Sequence, residues 1–294
     1  MDLKNYLEQQ RKHIETTLEE VLPPKQGFTA TLVEAMRYSL FAGGKRLRPI
    51  LVLAACEAVG GKSEQALLPA CAMEMIHTYS LIHDDLPAMD DDNFRRGVPT
   101  NHKVFGEASA ILAGDALLTE AFVLLSRPSS GISPATQIRL VNIAANAAGR
   151  DGMVGGQVVD MEAEGQKHSI ETVDFIHKHK TGALILASLQ MGAIVGGATD
   201  QQLRQIETFG QNAGLAFQIA DDLLDIESTC EQLGKDVGSD AERGKATYPG
   251  VAGVEQARNR ASELHTIAIE ALADFPAAAE PLRQISAYII NRNK

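Results

Sequence analysis

Five aspartates fall within nine residues in the stretch IHDDLPAMDDD at 82–92, and a second acidic run, QIADDLLDI, occupies 218–226. On a helix at about 100° per residue, Asp221 and Asp225 lie about 40° apart, and Asp222 about 60° from Asp225. Like charges on one face destabilise a helix by about 0.3 kcal/mol per pair, and the C-terminal end of a helix disfavours negative charge further. Nothing local stabilises these acids, so an external cation is the economical explanation. Oxygen donors with no histidine or cysteine interleaved suit a hard divalent ion. Mg²⁺ in particular accepts a few carboxylates completed by waters and phosphate oxygens. The plain alternative for either cluster alone is a solvated acidic helix end; two of them, each set in apolar sequence, favour the metal. In an unbroken helix Asp84 and Asp90 would point about 120° apart. Pro87 cannot donate a backbone hydrogen bond, so the turn around it must loosen, and a loosened turn brings Asp90 back towards Asp84. Asp91 and Asp92 have no assigned role.

Basic residues form clusters of their own. GGKRLRP places Lys45, Arg46 and Arg48 after two glycines and beside Pro49 at a helix start. Glycines permit close backbone approach, helix N-termini favour anions, and guanidinium forks match phosphate oxygens. FRRG offers Arg95 and Arg96 directly after the first acidic cluster. HKHKTGAL supplies Lys178 and Lys180, and Lys235 and Lys245 follow the second cluster. A glycine-flanked lysine alone is ordinarily a solvated loop. The signal is the trailing of each acidic run by a basic one, as a metal-bound diphosphate requires. No complete Walker motif, GxxxxGKS or GxxxxGKT, occurs, which disfavours a nucleotide site. His77, one to two turns before Asp84, reads either as a core histidine or as a cavity group. There is no GxSxG, CxxC or HExxH.

The elements that carry these residues are helical. Alanine and leucine dominate, β-branched runs are short, and helical patterns alternate with glycine or proline punctuation. Helices are expected at about 2–21, from Pro49 towards Gly60, and at 64–86, 106–126, 134–149, 152–164, 171–196 and 200–230. Two more are expected at the end, split by Pro276. Ten or so helices without a linker or low-complexity tract imply one all-α domain over residues 1–294, with some helices apolar on several sides at its centre.

The formal net charge of −11 argues against nucleic acid or an anionic membrane surface as partner. Cys56, Cys71 and Cys230 are scattered and odd in number, as packed reduced thiols are. The N-terminus is charged without an apolar signal region, and no stretch reaches the length needed to span a bilayer. The expectation is a cytoplasmic protein without membrane insertion.

Together GGKRLRP, SLIHDDLPAMDDDNFRRGVPTNH, GEASAILAGDALL, HKHKTGAL, GLAFQIADDLLDI and GKATYP resemble the short-chain trans-prenyl diphosphate synthases, most nearly the bacterial farnesyl type, in order over nearly the whole chain. The resemblance implies an all-α isoprenoid synthase bundle with a central cavity, assembled as a homodimer. It implies small-molecule isoprenoid diphosphate substrates. An allylic diphosphate, dimethylallyl or geranyl, ionises with the help of Mg²⁺, usually three ions; isopentenyl diphosphate attacks the cation and a proton is lost. Residue by residue, it implies Asp84 and Asp90 as Mg²⁺ ligands with Asp85 assisting, and Asp221 for the remaining ion with Asp222 and Asp225 in its shell. Arg95, Lys180, Lys235 and Lys245 would hold the allylic diphosphate, and Lys45, Arg48, His77 and Arg96 isopentenyl diphosphate. Thr181 and Gln218 would line the carbocation site with oxygen dipoles. Tyr79, five residues before Asp84, would floor the cavity beside the small Ser80, which points to a fifteen-carbon product. Geranylgeranyl or geranyl diphosphate synthesis is the nearest alternative. A terpene cyclase, a non-catalytic subunit of a heteromeric prenyltransferase and an acidic metal-buffering protein are more distant ones.

Overall fold

The structure, a computed structural model, describes residues 1–128, 131–166, 168–227 and 245–290. In chain order its helices are α1 (Leu3–Val21), α2 (Ala30–Leu40), α3 (Leu47–Ala58), α4 (Leu67–Asp84), α5 (Asn101–Phe105), α6 (Glu107–Ser126) and α7 (Pro134–Ala148). They continue with α8 (Met153–Ala163), α9 (Ile170–Ile176), α10 (Ala183–Val195), α11 (Asp200–Glu227), α12 (Tyr248–Ala252), α13 (Val254–Ala271) and α14 (Glu280–Ile290). Side-chain oxygens start several of them: Asp2 accepts from the Asn5 amide, Ser133 from Thr136, Ser169 from Thr172 and Thr247 from Gly250.

Helices α3, α4 and α10 are apolar on nearly every side and are buried accordingly, while α6 lies along α4. The large core cluster joins residues of α1 to α4, α6, α7 and α10. A smaller cluster joins α8, α9, α12 and α13. Helix α11 belongs to both, with Ile206 and Phe209 in the first and Ile219 and Leu223 in the second. Small residues let the central helices approach closely. A Cβ built on Gly192 of α10 would lie 2.0 Å from the Val52 carbonyl oxygen of α3, a contact with backbone that cannot move aside.

Most expected helices are present with ends displaced by a few residues. Three expectations are corrected. The helix expected over 171–196 is interrupted: His177–Gly182 form a π-helical turn between α9 and α10, a local widening that propensity does not encode. A two-stranded antiparallel hairpin, Phe94–Arg95 (β1) and Val98–Pro99 (β2), and the five-residue α5 follow the first acidic cluster, where no element was expected. Helix α6 is long and apolar enough to cross a bilayer, contrary to the expectation that no stretch is; about 39% of it is buried within the protein. Cys56 and Cys71 are buried free thiols, their pKa values raised by burial, that of Cys56 to about 12. Cys230 lies outside the described residues.

Gly192→Ala should lower stability by about 2 kcal/mol or more, because overpacking against fixed backbone must separate α3 from α10. The urea unfolding midpoint measures it.

Candidate functional site

Helix α4 ends at Asp84, and the chain then turns back on itself. The Asp90 amide donates to the Asp84 carbonyl at 2.9 Å, and the Met89 and Asp91 amides both donate to the Leu86 carbonyl. This is the loosened turn expected around Pro87. It brings Asp90 near enough to Asp84 to help hold the Asp84 carboxyl above its ordinary range, although burial is the larger cause. Lys180, Lys245 and Arg95 act on Asp84 in the opposite direction. Lys245 Nζ lies 3.8 Å from Asp90 Oδ2. The first two aspartates therefore sit among cations contributed by distant parts of the chain.

The side chains that aim these groups come from α8. Gln157 Nε2 donates to Asp84 Oδ1 at 2.6 Å, and Lys180 Nζ donates to Asp160 Oδ2 at 2.6 Å. Gln157 and Asp160, three apart, share a face of α8. A Cβ on Gly156 would lie 2.2 Å from the Lys180 amide nitrogen, so α8 touches the backbone of the π turn directly. Burial lowers the Lys180 pKa, but Asp160 and Asp84 outweigh it and the net shift is upward; the lysine stays charged.

Below the aspartates a cavity of about 500 Å³ opens, lined by Arg48, His77, Tyr79, Ser80, Asp84, Lys180 and Thr181, with Met153 and Met161 of α8 and Ile111 of α6 completing an apolar wall. Tyr79 is five residues before Asp84, about 7.5 Å along the helix axis. Its ring packs edge-on against His83 at 5.7 Å, and burial pushes its hydroxyl up to about 12. His83 in turn meets the Ile111 carbonyl at 3.0 Å and rests on Gly114, where a Cβ would lie 2.1 Å from its ring. The tyrosine is thus braced from α6.

A basic cluster flanks the cavity. Arg48 stands in the first turn of α3; burial pushes its pKa down to about 10, and its Nε is buried without a hydrogen-bond partner in the protein. His77 is held well below its ordinary range by burial and by Arg48, Arg96, Arg95 and Arg46. A convergence of guanidiniums with an unsatisfied buried donor is chemistry for an anion. Arg46 itself points inward at 2% exposure, bonded to Glu74 at 2.7 Å and to the Leu40 carbonyl at 2.7 Å. Arg96 lies on Gly44, donates to the Gly43 carbonyl and stands 3.7 Å from the same Glu74. Arg46, Asp91 and Arg96 are the non-glycine residues with positive φ among those described, and each is held in that conformation by several contacts.

The other expected site residues divide. Asp85, 3% exposed, accepts from Arg95 Nε at 2.8 Å and from Arg95 Nη2 at 2.5 Å, while Asp92 accepts from Arg95 at 2.9 Å. Burial raises the Asp85 carboxyl to about 6 despite Arg95. In this structure Asp85 and Arg95 are engaged with each other, and Asp92 gains a role as the second acceptor of Arg95. On α11, Gln218, Asp221, Asp222 and Asp225 share one face. Gln218 is one turn beyond Gly214, which abuts Gly182 of the π turn. Asp221 is exposed and Asp225 buried, and Asp222 accepts from the Tyr248 amide at 2.7 Å. Lys45 is exposed, outside the cavity lining. Lys178 pairs with Asp174, away from the site. Lys235 lies outside the described residues.

Sequence reasoning passed over Glu74, Gln157, Asp160 and His177. Glu74 carried a signal, as the sole acid in the apolar run CAMEMI, where a charge is retained only with a buried partner. Among the described residues no three acidic, histidine or cysteine side chains converge closely enough to hold an ion by themselves. The donor set at Asp84 and Asp90 still fits Mg²⁺, which takes few carboxylates and completes its shell with water and phosphate.

Comparison with known proteins follows the same lines. The family model described as Polyprenyl synthetase matches residues 29–281. The chain is 47% identical over 293 residues to a geranylgeranyl diphosphate synthase of Cyanophora paradoxa, covering 99% of this chain and 97% of that one. It is 49% identical over 261 residues to a farnesyl diphosphate synthase of Geobacillus stearothermophilus, covering 88% of each. The crystal structure of an FPP/GFPP synthase from Zymomonas mobilis superposes with a TM-score of 0.88 at 41% identity, over 98% of this chain and 99% of that one.

Glu74→Leu should cost about 3 kcal/mol or more, because two guanidiniums lose their buried counter-ion, whereas Glu74→Gln should cost less. Chemical denaturation of the two variants side by side tests the ordering.

Proposed function

Since the chain belongs to the polyprenyl synthetase family and is a short-chain trans-prenyltransferase, we propose that it is a farnesyl diphosphate synthase, condensing isopentenyl diphosphate with dimethylallyl and then geranyl diphosphate. The observation that carries this reading is Tyr79, a buried ring lining the cavity about 7.5 Å along α4 from Asp84. Asp84 and Asp90, with Asp221 from α11, would hold Mg²⁺. Bound there, the ion supplies positive charge to the departing diphosphate.

The chain's own groups do the rest. Lys180 and Lys245, already placed against Asp84 and Asp90, hold the allylic diphosphate and oppose the negative charge that grows on it as the carbon–oxygen bond breaks. Arg48, Arg96, Lys45 and His77 receive isopentenyl diphosphate, and the unsatisfied Arg48 Nε is the donor waiting for it. Thr181 presents its oxygen dipole to the allylic cation without forming a bond to it. Gln218 does the same from α11. The apolar wall of Met153, Met161 and Ile111 excludes water, which would otherwise capture the cation as an alcohol. The double bond of isopentenyl diphosphate attacks, a carbon–carbon bond forms, and a proton leaves to the released diphosphate.

Geranylgeranyl diphosphate synthesis is the second reading, favoured by the small Ser80 beside Tyr79 in the lining. The same proposal includes a homodimer. Leu112 and Val123 of α6 are exposed and lie about 20° apart around the helix, an apolar face suited to a second copy of the chain. Leu112→Lys should convert a dimer to monomer in analytical ultracentrifugation; a wild-type monomer would remove the dimer from the reading.

Incubation with isopentenyl and dimethylallyl diphosphates should give a fifteen-carbon alcohol after dephosphorylation and chromatography, with Mg²⁺ and not without it. No condensation product in the presence of Mg²⁺ would overturn the enzyme reading. Tyr79→Ala should shift the main product to twenty carbons or longer, and unchanged fifteen-carbon output would remove Tyr79 as the floor.

A further inference from the structure

Asp222 belongs to the second acidic cluster by sequence, yet one of its oxygens already serves two other segments. The Tyr248 amide donates to Asp222 Oδ2 at 2.7 Å, and His177 Nε2 lies 3.3 Å from the same atom. A carboxylate oxygen only accepts, so a hydrogen bond across this contact places the hydrogen on His177 Nε2. His177 is 4% exposed, and its other ring nitrogen is buried without a partner, so among its ring contacts Asp222 is the polar one.

The two segments that meet there are those that carry the lysines. His177 opens the π turn that ends in Lys180, Thr181 and Gly182. Tyr248 opens α12, three residues after Lys245. Lys245 Nζ stands 3.8 Å from Asp90, and Lys180 is among the cations acting on Asp84. One oxygen on α11 therefore braces both cationic arms that reach the first acidic cluster. The Tyr248 bond to this carboxylate is charge-assisted, and the His177 contact adds an electrostatic tie to the same atom.

We propose that His177 and Asp222 form a positioning pair that sets Lys180 and Lys245 for the allylic diphosphate, and that Asp222 acts in this bracket and not as a metal ligand. The inference rests on the reading that those two lysines hold the allylic diphosphate. Misplacement of a binding group by about 1 Å costs up to about a hundredfold in rate, so the pair should be visible in kinetics although it touches no substrate.

The test compares wild type, His177→Leu and His177→Gln in steady-state condensation. His177→Leu should raise KM for the allylic substrate about tenfold, with KM for isopentenyl diphosphate and the half-saturating Mg²⁺ concentration within about twofold of wild type. His177→Gln, which restores a donor at about the position of Nε2, should recover most of the loss. Adding Asp222→Asn to His177→Leu should do no further harm beyond the poorer single variant, as expected for two members of one interaction. Equal KM increases for both substrates, or no recovery by glutamine, would overturn the pair. A wild-type enzyme that makes no product would count against the functional reading itself; normal wild-type turnover with an unaltered His177→Leu enzyme counts against the pair alone. Hydrogen exchange at the Tyr248 amide needs no turnover: it should quicken about tenfold or more in Asp222→Ala, and unchanged exchange would also overturn the bracket.

Discussion

Charge placed at the edge of an apolar cavity has to be balanced within a few ångströms, and the site is organised around that requirement. Asp84 and Asp90 are forced together by the turn at Pro87, which is unfavourable for two carboxylates beside a dry wall. Lys180 from the π turn and Lys245 from the approach to α12 supply the local balance, and Gln157 and Asp160 of α8 hold the partners in place. Balance within the protein alone is partial, since burial still raises the Asp84 carboxyl. That residual imbalance is what a cation and a diphosphate would relieve together.

The basic side of the cavity is built in the same way, with a different economy. Glu74 is a buried carboxylate shared by Arg46 and Arg96, and it allows two guanidiniums to lie within the protein. Arg48, close by, is left with an unsatisfied donor and a depressed pKa. One arginine of GGKRLRP is thus structural and another is left ready for a ligand, though their side chains are chemically identical. Arg46 is tied by hydrogen bonds to Glu74 and the Leu40 carbonyl, whereas Arg48 lines the cavity.

The helical class and most helix ends were legible because glycine, proline and capping residues mark them. The two acidic clusters and their basic companions were legible because unbalanced like charge is visible in one dimension. The hinge at Pro87 could be argued from its missing amide hydrogen, and the backbone bond from Asp90 to Asp84 agrees with that argument. What was not legible depends on contacts between distant segments. Gln157 and Asp160 are unremarkable in GGQVVDM until α8 lies against Asp84 and Lys180. The mutual engagement of Arg95 and Asp85 could not be told from service to a ligand, because either use asks for the same residue types. The π turn left no signal, since nothing in HKHKTG separates a widened turn from an α-helix weakened at its glycine.

That turn makes the length of the chain between α9 and α10 a functional quantity. A π turn holds one residue more than the α-helix it interrupts. Loss of any single residue between His177 and Gly182 would let the rod close into continuous α-helix, with local geometry improved. The flanking helices would keep their phase, but the widened backbone that presents Lys180 and Thr181 would be lost. The surplus residue is what allows one rod to face Asp222 at its start and Asp84 at its end, and a deletion would remove it.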